Sequence, residues 1–127
     1  MAFSVGDGGL WSTAAQLGKL NDYFLPGGAL PGPARALVAE PGRLDDGSPV
    51  PYAWGIRVGE RHGQLMHSHG GSWPGWVAKT IRLPEAGISL AAMSNSADGE
   101  RIHQLSLHIV DHCLDRCPAV SCPARQA

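Results

Sequence analysis

The chain has 127 residues, 43% of them hydrophobic and 17% charged, a balance that fits one packed domain and argues against a disordered polymer. Its formal net charge is −1, from ten basic and eleven acidic residues, and its only lysines are Lys19 and Lys79. With no basic stripe and no polybasic patch, neither nucleic acid nor an anionic membrane surface is expected as a partner.

No apolar stretch approaches the roughly 20 residues that cross a bilayer. Met1 to Asp7 has no basic leader and no long apolar run, so the sequence as written reads as cytoplasmic. Gly6-Asp7-Gly8-Gly9 is a turn cluster. After it, Ser12 or Thr13 can cap a helix by accepting from a free backbone N–H. Leu17, Leu20 and Phe24 follow at helical spacing, with Tyr23 beside them, and Pro26-Gly27-Gly28 should stop the helix. Residues 26–51 hold six prolines and read as a connector, with one short helical turn over Ala34 to Ala39.

The second half reads as β structure. Tyr52, Trp54, Ile56 and Val58 occupy alternate positions, the pattern of a half-buried strand. Gln64 to His69 is a second strand, entered through a turn at Glu60 to Gly63. Trp76 to Leu83 is a third and Ile88 to Ser94 a fourth, joined by the loop Pro84-Glu85-Ala86-Gly87. Asn95 to Gly99 is a polar turn. Ile102, Leu105, Ile109 and Cys113 then line one helical stripe, widened by Val110 and Leu114. The expected architecture is α+β: an antiparallel β-meander with an N-terminal helix and a C-terminal helix packed on the sheet. Pro118 and Pro123 mark residues 118–127 as a flexible tail after a single unit over 1–117.

The densest chemical constellation is His67-Ser68-His69-Gly70-Gly71-Ser72-Trp73-Pro74-Gly75-Trp76, expected to end one strand and open the turn to the next. Gly70 and Gly71 let another backbone or a ligand approach closely, and a histidine beside such an opening can donate to an oxyanion or carboxylate. The competing structural reading is a tight β-turn with incidental histidines. Trp73 and Trp76 can stack on a substrate or pack on the rim. His108 and His112 are four apart on a helix near Cys113 and Cys117, a zinc-like grouping without a fourth ligand at motif spacing. Three cysteines, Cys113, Cys117 and Cys122, make a poor disulfide framework.

His69-Gly70-Gly71-Ser72, followed by Pro74-Gly75-Trp76, resembles the third motif of the β-lactamase-like serine hydrolases, the family of class C β-lactamases, DD-peptidases and related esterases. Gly6-Asp7-Gly8-Gly9-Leu10-Trp11-Ser12-Thr13 is similar to that family's Gly-Gly-Leu-x-Ser-Thr segment. Tyr52-Ala53-Trp54-Gly55 resembles the strand after its Pro-rich connector, and Arg82-Leu83-Pro84 with Ala91-Ala92-Met93-Ser94-Asn95 resembles its last hairpin. The ordered set spans most of residues 6–115.

The resemblance implies a partial β-lactamase/transpeptidase-like fold and acyl transfer on a small-molecule ester, amide or β-lactam substrate, without a cofactor or metal. It implies catalytic roles for His69, in the place of the third-motif lysine, and for Ser72, whose backbone N–H would be an oxyanion donor. Gly70, Gly71 and Trp73 would be substrate-binding. Family members are often exported. No serine here has lysine three positions later, and neither Tyr23 nor Tyr52 has asparagine two positions later. The family's nucleophile segment and second motif are therefore missing. The expectation is a fragment inactive alone, which associates with itself or with a complementing N-terminal half. The alternative is a non-catalytic module of the same ancestry that binds a ligand or partner.

Overall fold

In the computed structural model, residues 8–116 are described. Helix α1 spans Ala14–Tyr23, α2 Gly32–Ala39 and α3 Gly99–Arg116. Strands β1 (Arg57–Arg61), β2 (Gln64–Trp73), β3 (Trp76–Leu83) and β4 (Ile88–Ser94) form one antiparallel sheet in the order β1-β2-β3-β4. The α+β meander with a helix at either end is thus present. Residues 118–127 of the expected tail, together with Cys117 and Cys122, lie outside the described residues, as do residues 1–7.

Each start and stop has a local cause. Thr13 caps α1 in a reciprocal capping box: its side chain accepts from the Gln16 N–H, and the Gln16 side chain accepts from the Thr13 N–H at 3.1 Å. α1 ends at Tyr23, earlier than the Pro26-Gly27-Gly28 stop, because the chain already turns at Phe24 and Leu25, whose N–H groups bond Asn21 and Asp22 carbonyls. Pro33 near the start of α2 sits where a missing N–H costs nothing. Pro74 and Gly75 form the two-residue turn between Trp73 and Trp76, with Gly75 at φ 78°. His62 and Gly63 both take positive φ, the form that matches the twist of a two-residue hairpin.

Three expectations need correction. Tyr52 to Val58 is not a continuous strand. Pro49 and Pro51 remove ladder donors, and Gly55 at φ 72° reverses the chain, so Ala53 bonds back to Ile56. Among the described residues this segment makes an isolated Tyr52–Arg57 bridge, and Arg43 and Pro49 make another upstream. The apolar alternation there belongs to a turn, which leaves Trp54 exposed. Second, β2 does not end at His69 but runs on to Trp73, since the Pro74-Gly75 turn allows pairing right up to Trp73–Trp76. Third, the buried face of α3 is centred on Ser106 and Val110, whereas Leu105 and Ile109 are 52% and 42% exposed.

The two long helices lie on opposite faces of the sheet. Successive strand residues point to opposite sides. Ile81 and Leu83 pack with Ala86 and with Val110 of α3, joined by Met66, Ile88, Leu90, Leu107 and Leu114. Arg82, between them, instead stacks its guanidinium 4.5 Å from the ring centre of Phe24, at the end of α1. Asn21 ties α1 to the sheet by donating to the Leu90 carbonyl at 2.8 Å. On the other face, Arg61 grips Asp111 of α3 bidentately, its Nε and Nη2 donating to the two carboxylate oxygens, and His62 joins at 3.0 Å. The Arg61 hydrogen bond leads in holding the Asp111 carboxyl down at about 2.

Candidate functional site

His69-Gly70-Gly71-Ser72 lies within β2, opposite Thr80, Lys79, Ala78 and Val77 of β3. β1 covers β2 only as far as Ser68, which pairs with Arg57. From His69 to Trp73 the outer edge of β2 is therefore free of a neighbouring strand among the described residues. The two-residue loop makes Trp73–Trp76 a hydrogen-bonded pair, so the outward groups alternate from there. The N–H of Ser72 and of Gly70 then point away from β3, into the open side.

Neither glycine is required by the fold. A side chain added at Gly71 would meet nothing within 4 Å, and one at Gly70 would make only ordinary contacts, at 3.6 Å and beyond. The stretch is thus a bare backbone facing outward, without a packing reason inside these residues.

The site residues divide between the two faces. His69 is exposed, its ring centre 6.4 Å from that of Tyr52, and its carbonyl accepts from Thr80 Oγ1 at 3.4 Å. It shares the α1 face with Trp73 and Trp76, which are 59% and 56% exposed. The Ser72 side chain lies on the α3 face. There Gly70, Gly71 and Ser72 border an open depression of about 250 Å³, completed by Val77, Ala78, Lys79, Gly99 and His103. His69 does not line it. What His69 and Ser72 share is the outer backbone edge of β2.

Lys79 and His103 were not singled out in the sequence. Burial, and then the charge of Arg57, lower the Lys79 amine from its usual range. His103 Nδ1 is buried without a partner among the described residues. The only available signal was the scarcity of lysine and the pairing of Lys79 with Gly70. His108 and His112 are exposed on α3, and among the described residues no three His, Cys, Asp or Glu side chains come together as a metal group.

A second polar cluster sits under α1. His67 and Arg82 are cross-strand partners, both buried, with His67 Nε2 and Arg82 Nε unpaired among the described residues. Burial first, and the Arg82 charge second, push the His67 imidazole below its ordinary 6.5. A histidine whose folded-state value is lowered binds fewer protons folded than unfolded, so stability falls as pH drops from 6.5 toward that value. Urea midpoints should therefore decline between about pH 7.5 and about pH 5.5. His67→Leu should flatten that decline; an equally steep fall in the variant refutes the assignment.

No protein-family model matches this sequence, and no curated protein matches it. No helix among the described residues is long and apolar enough to cross a membrane.

Proposed function

We propose that this chain supplies the third-motif half of a β-lactamase-like acyl-transfer site, with the nucleophilic serine contributed from outside these 127 residues. The observation that carries the reading is the free β2 edge. The Gly70 and Ser72 N–H groups face outward there, from a Gly-Gly step for which the fold gives no internal reason.

An outward backbone N–H on a strand is fixed before any charge develops, so it needs no reorganisation when a carbonyl oxygen becomes an oxyanion. The Ser72 N–H has that role in this reading. His69, exposed at the same edge and one face over, is placed to donate to the anionic part of an acyl substrate or to exchange a proton with the incoming hydroxyl. Trp73 adds an exposed ring against which an apolar acyl group can stack. One oxyanion donor is worth roughly 10²–10³ in rate, which is small beside the covalent route that a nucleophile opens.

The chain alone should therefore form no acyl-enzyme. Incubation with a fluorophosphonate or a fluorescent penicillin should leave every serine unlabelled, by intact-mass analysis. Fold-dependent labelling of any serine would overturn the assignment of the nucleophile to another segment. The same β2 edge is testable directly. Titration with a boronic acid or phosphonate transition-state analogue should shift the amide resonances of Gly70 and Ser72. Unshifted resonances there, with shifts elsewhere, count against the site itself.

A further inference from the structure

We propose that the depression lined by Glu40, Gly42, Tyr52, Ala53 and Trp54 is a subsite for a small organic cation, an ammonium or quaternary nitrogen carried by the acyl substrate. As a cation site it stands on its own lining; as a substrate subsite it rests on the acyl-transfer reading.

The local sequence builds this depression as a fixed platform. Glu40 precedes Pro41, which holds it extended and takes the chain out of α2. The backbone then runs beside residues 50–52. The Gly42 N–H donates to the Tyr52 carbonyl at 2.9 Å, and the Val50 N–H donates to the Gly42 carbonyl at 2.8 Å. Beyond Tyr52 the chain closes on itself. The Ala53 N–H donates to the Ile56 carbonyl at 2.8 Å, and the Gly55 N–H to the Ala53 carbonyl at 2.9 Å, with Gly55 at φ 72°. Trp54 is held out at the tip of that turn, 72% exposed. Its backbone is bonded on both sides, so a ligand docking there has little main chain to order.

The lining selects charge. The depression has a volume of about 230 Å³, room for one small organic group. Its side chains include one carboxylate, Glu40, and two aromatic rings, Tyr52 and Trp54. Ring faces attract a cation, tryptophan most strongly, and Glu40 adds a full negative charge. Both repel an anion. A metal ion fits poorly, because one carboxylate and no histidine line the depression. An organic ammonium suits both parts of the lining: its charge faces Glu40 while its carbon shell covers the rings.

Tyr52 links this depression to the β2 edge. Its ring centre stands 6.4 Å from that of His69. The depression is thus one aromatic ring away from His69, beside the strand that carries the Gly70 and Ser72 N–H groups. A substrate with its carbonyl at Ser72 and its chain passing His69 and Tyr52 brings a cationic end to Glu40 and Trp54.

Nuclear magnetic resonance titration of the 127-residue chain with choline, and with its neutral isostere 3,3-dimethylbutan-1-ol, tests the site. Choline should shift the Trp54 indole N–H and the Glu40 and Tyr52 amides. The alcohol should bind at least about threefold more weakly. Glu40→Gln and Trp54→Ala change exposed side chains. Each should weaken choline at least about threefold with the far-ultraviolet dichroism unchanged, and Trp54→Tyr should keep part of the affinity. A second arm joins the subsite to the acyl site. A boronic acid bearing a trimethylammonium group should bind more tightly than one bearing a tert-butyl group, and Glu40→Gln should erase that preference. Equal binding of choline and the alcohol, or choline shifts that avoid Trp54 and Glu40, overturns the proposal. So does a boronic acid that shifts Gly70 and Ser72 with no preference for the cationic form. Choline bound at Trp54 while neither boronic acid moves Gly70 and Ser72 upholds the cation site and refutes the acyl-transfer reading instead.

Discussion

Ile81→Ala is expected to cost about 4 kcal/mol, enough to leave much of the chain unfolded at room temperature. Ile81 is fully buried at the centre of β3, paired with Ser68 on one side and Leu90 on the other, in the cluster that Val110 closes from α3. Removing its outer carbons loses their transfer energy and leaves a void, because neighbours on two strands and a helix cannot all collapse inward. The effect is large in relative terms because the core is small. Only Val77, Ile81, Leu83, Ala86 and Val110 are buried apolar residues, while fourteen large apolar side chains are exposed among the described residues. A domain of this size typically has about 5–15 kcal/mol in hand, and so thin a core places this one toward the bottom of that range. Leu44→Ala, at an exposed position, should change stability by less than about 0.5 kcal/mol. Urea unfolding of the two variants provides the comparison. An Ile81→Ala midpoint within about 1 kcal/mol of wild type would mean that this cluster is not what holds the sheet and α3 together.

The same imbalance bears on function. Trp73 and Trp76 on the α1 face, and Leu105 and Ile109 on α3, are apolar groups left outside the core. Exposed patches of that kind mark contact surfaces. The outer edge of β2, which ends at Trp73, adjoins the first of these patches.

Period-2 alternation and short turns located β3 and β4 to the residue, because nothing long-range competes with a strand whose loop is four residues long. The first helix was legible from a capping hydroxyl at Ser12 or Thr13 and the spacing of Leu17, Leu20 and Phe24, and the structure puts the cap at Thr13. Tyr52 to Ile56 misled because alternation is blind to a glycine that takes positive φ, and Gly55 turned the pattern into a loop. The α3 stripe misled for a different reason. Periodicity shows that a helix has an apolar face, but not which of two adjoining apolar faces the sheet occupies. Ser106, whose hydroxyl donates to the Ile102 carbonyl at 2.7 Å, could be buried without an outside partner, which let the helix roll toward it. At the candidate site, His69 to Ser72 were legible as a chemically dense run. Lys79 and His103 were not, since they reach the depression through strand pairing and helix packing across intervals of sequence that carry no motif.

Gly28→Ala should destabilise the chain by about 2–3 kcal/mol, far more than Gly27→Ala, although only Gly27 has the left-handed φ, 82°. The two glycines fail for different reasons. At Gly27 a methyl group would point into open space, so the cost is backbone strain alone, about 1 kcal/mol. At Gly28 it would overlap the Asp22 carbonyl oxygen and sit 2.6 Å from that of Tyr23 and 2.9 Å from that of Leu25. All three are backbone atoms at the end of α1, and none can move without opening the last turn. That turn is closed by Gly28 N–H donating to Leu25 at 2.8 Å, and by Leu30 N–H donating to Tyr23 at 3.2 Å. Opening it displaces Phe24, the ring stacked on the buried Arg82 guanidinium. His67 and Arg82 would then be solvated from the α1 side, which removes first the burial that lowers His67 and second the repulsion from Arg82. The variant should accordingly show two linked changes: a lower urea midpoint, and a His67 titration in nuclear magnetic resonance moved back toward 6.5. Gly27→Ala should leave the His67 titration where it is. A Gly28→Ala chain with wild-type stability would show that the end of α1 can rearrange freely, and that Phe24 does not hold the cluster closed.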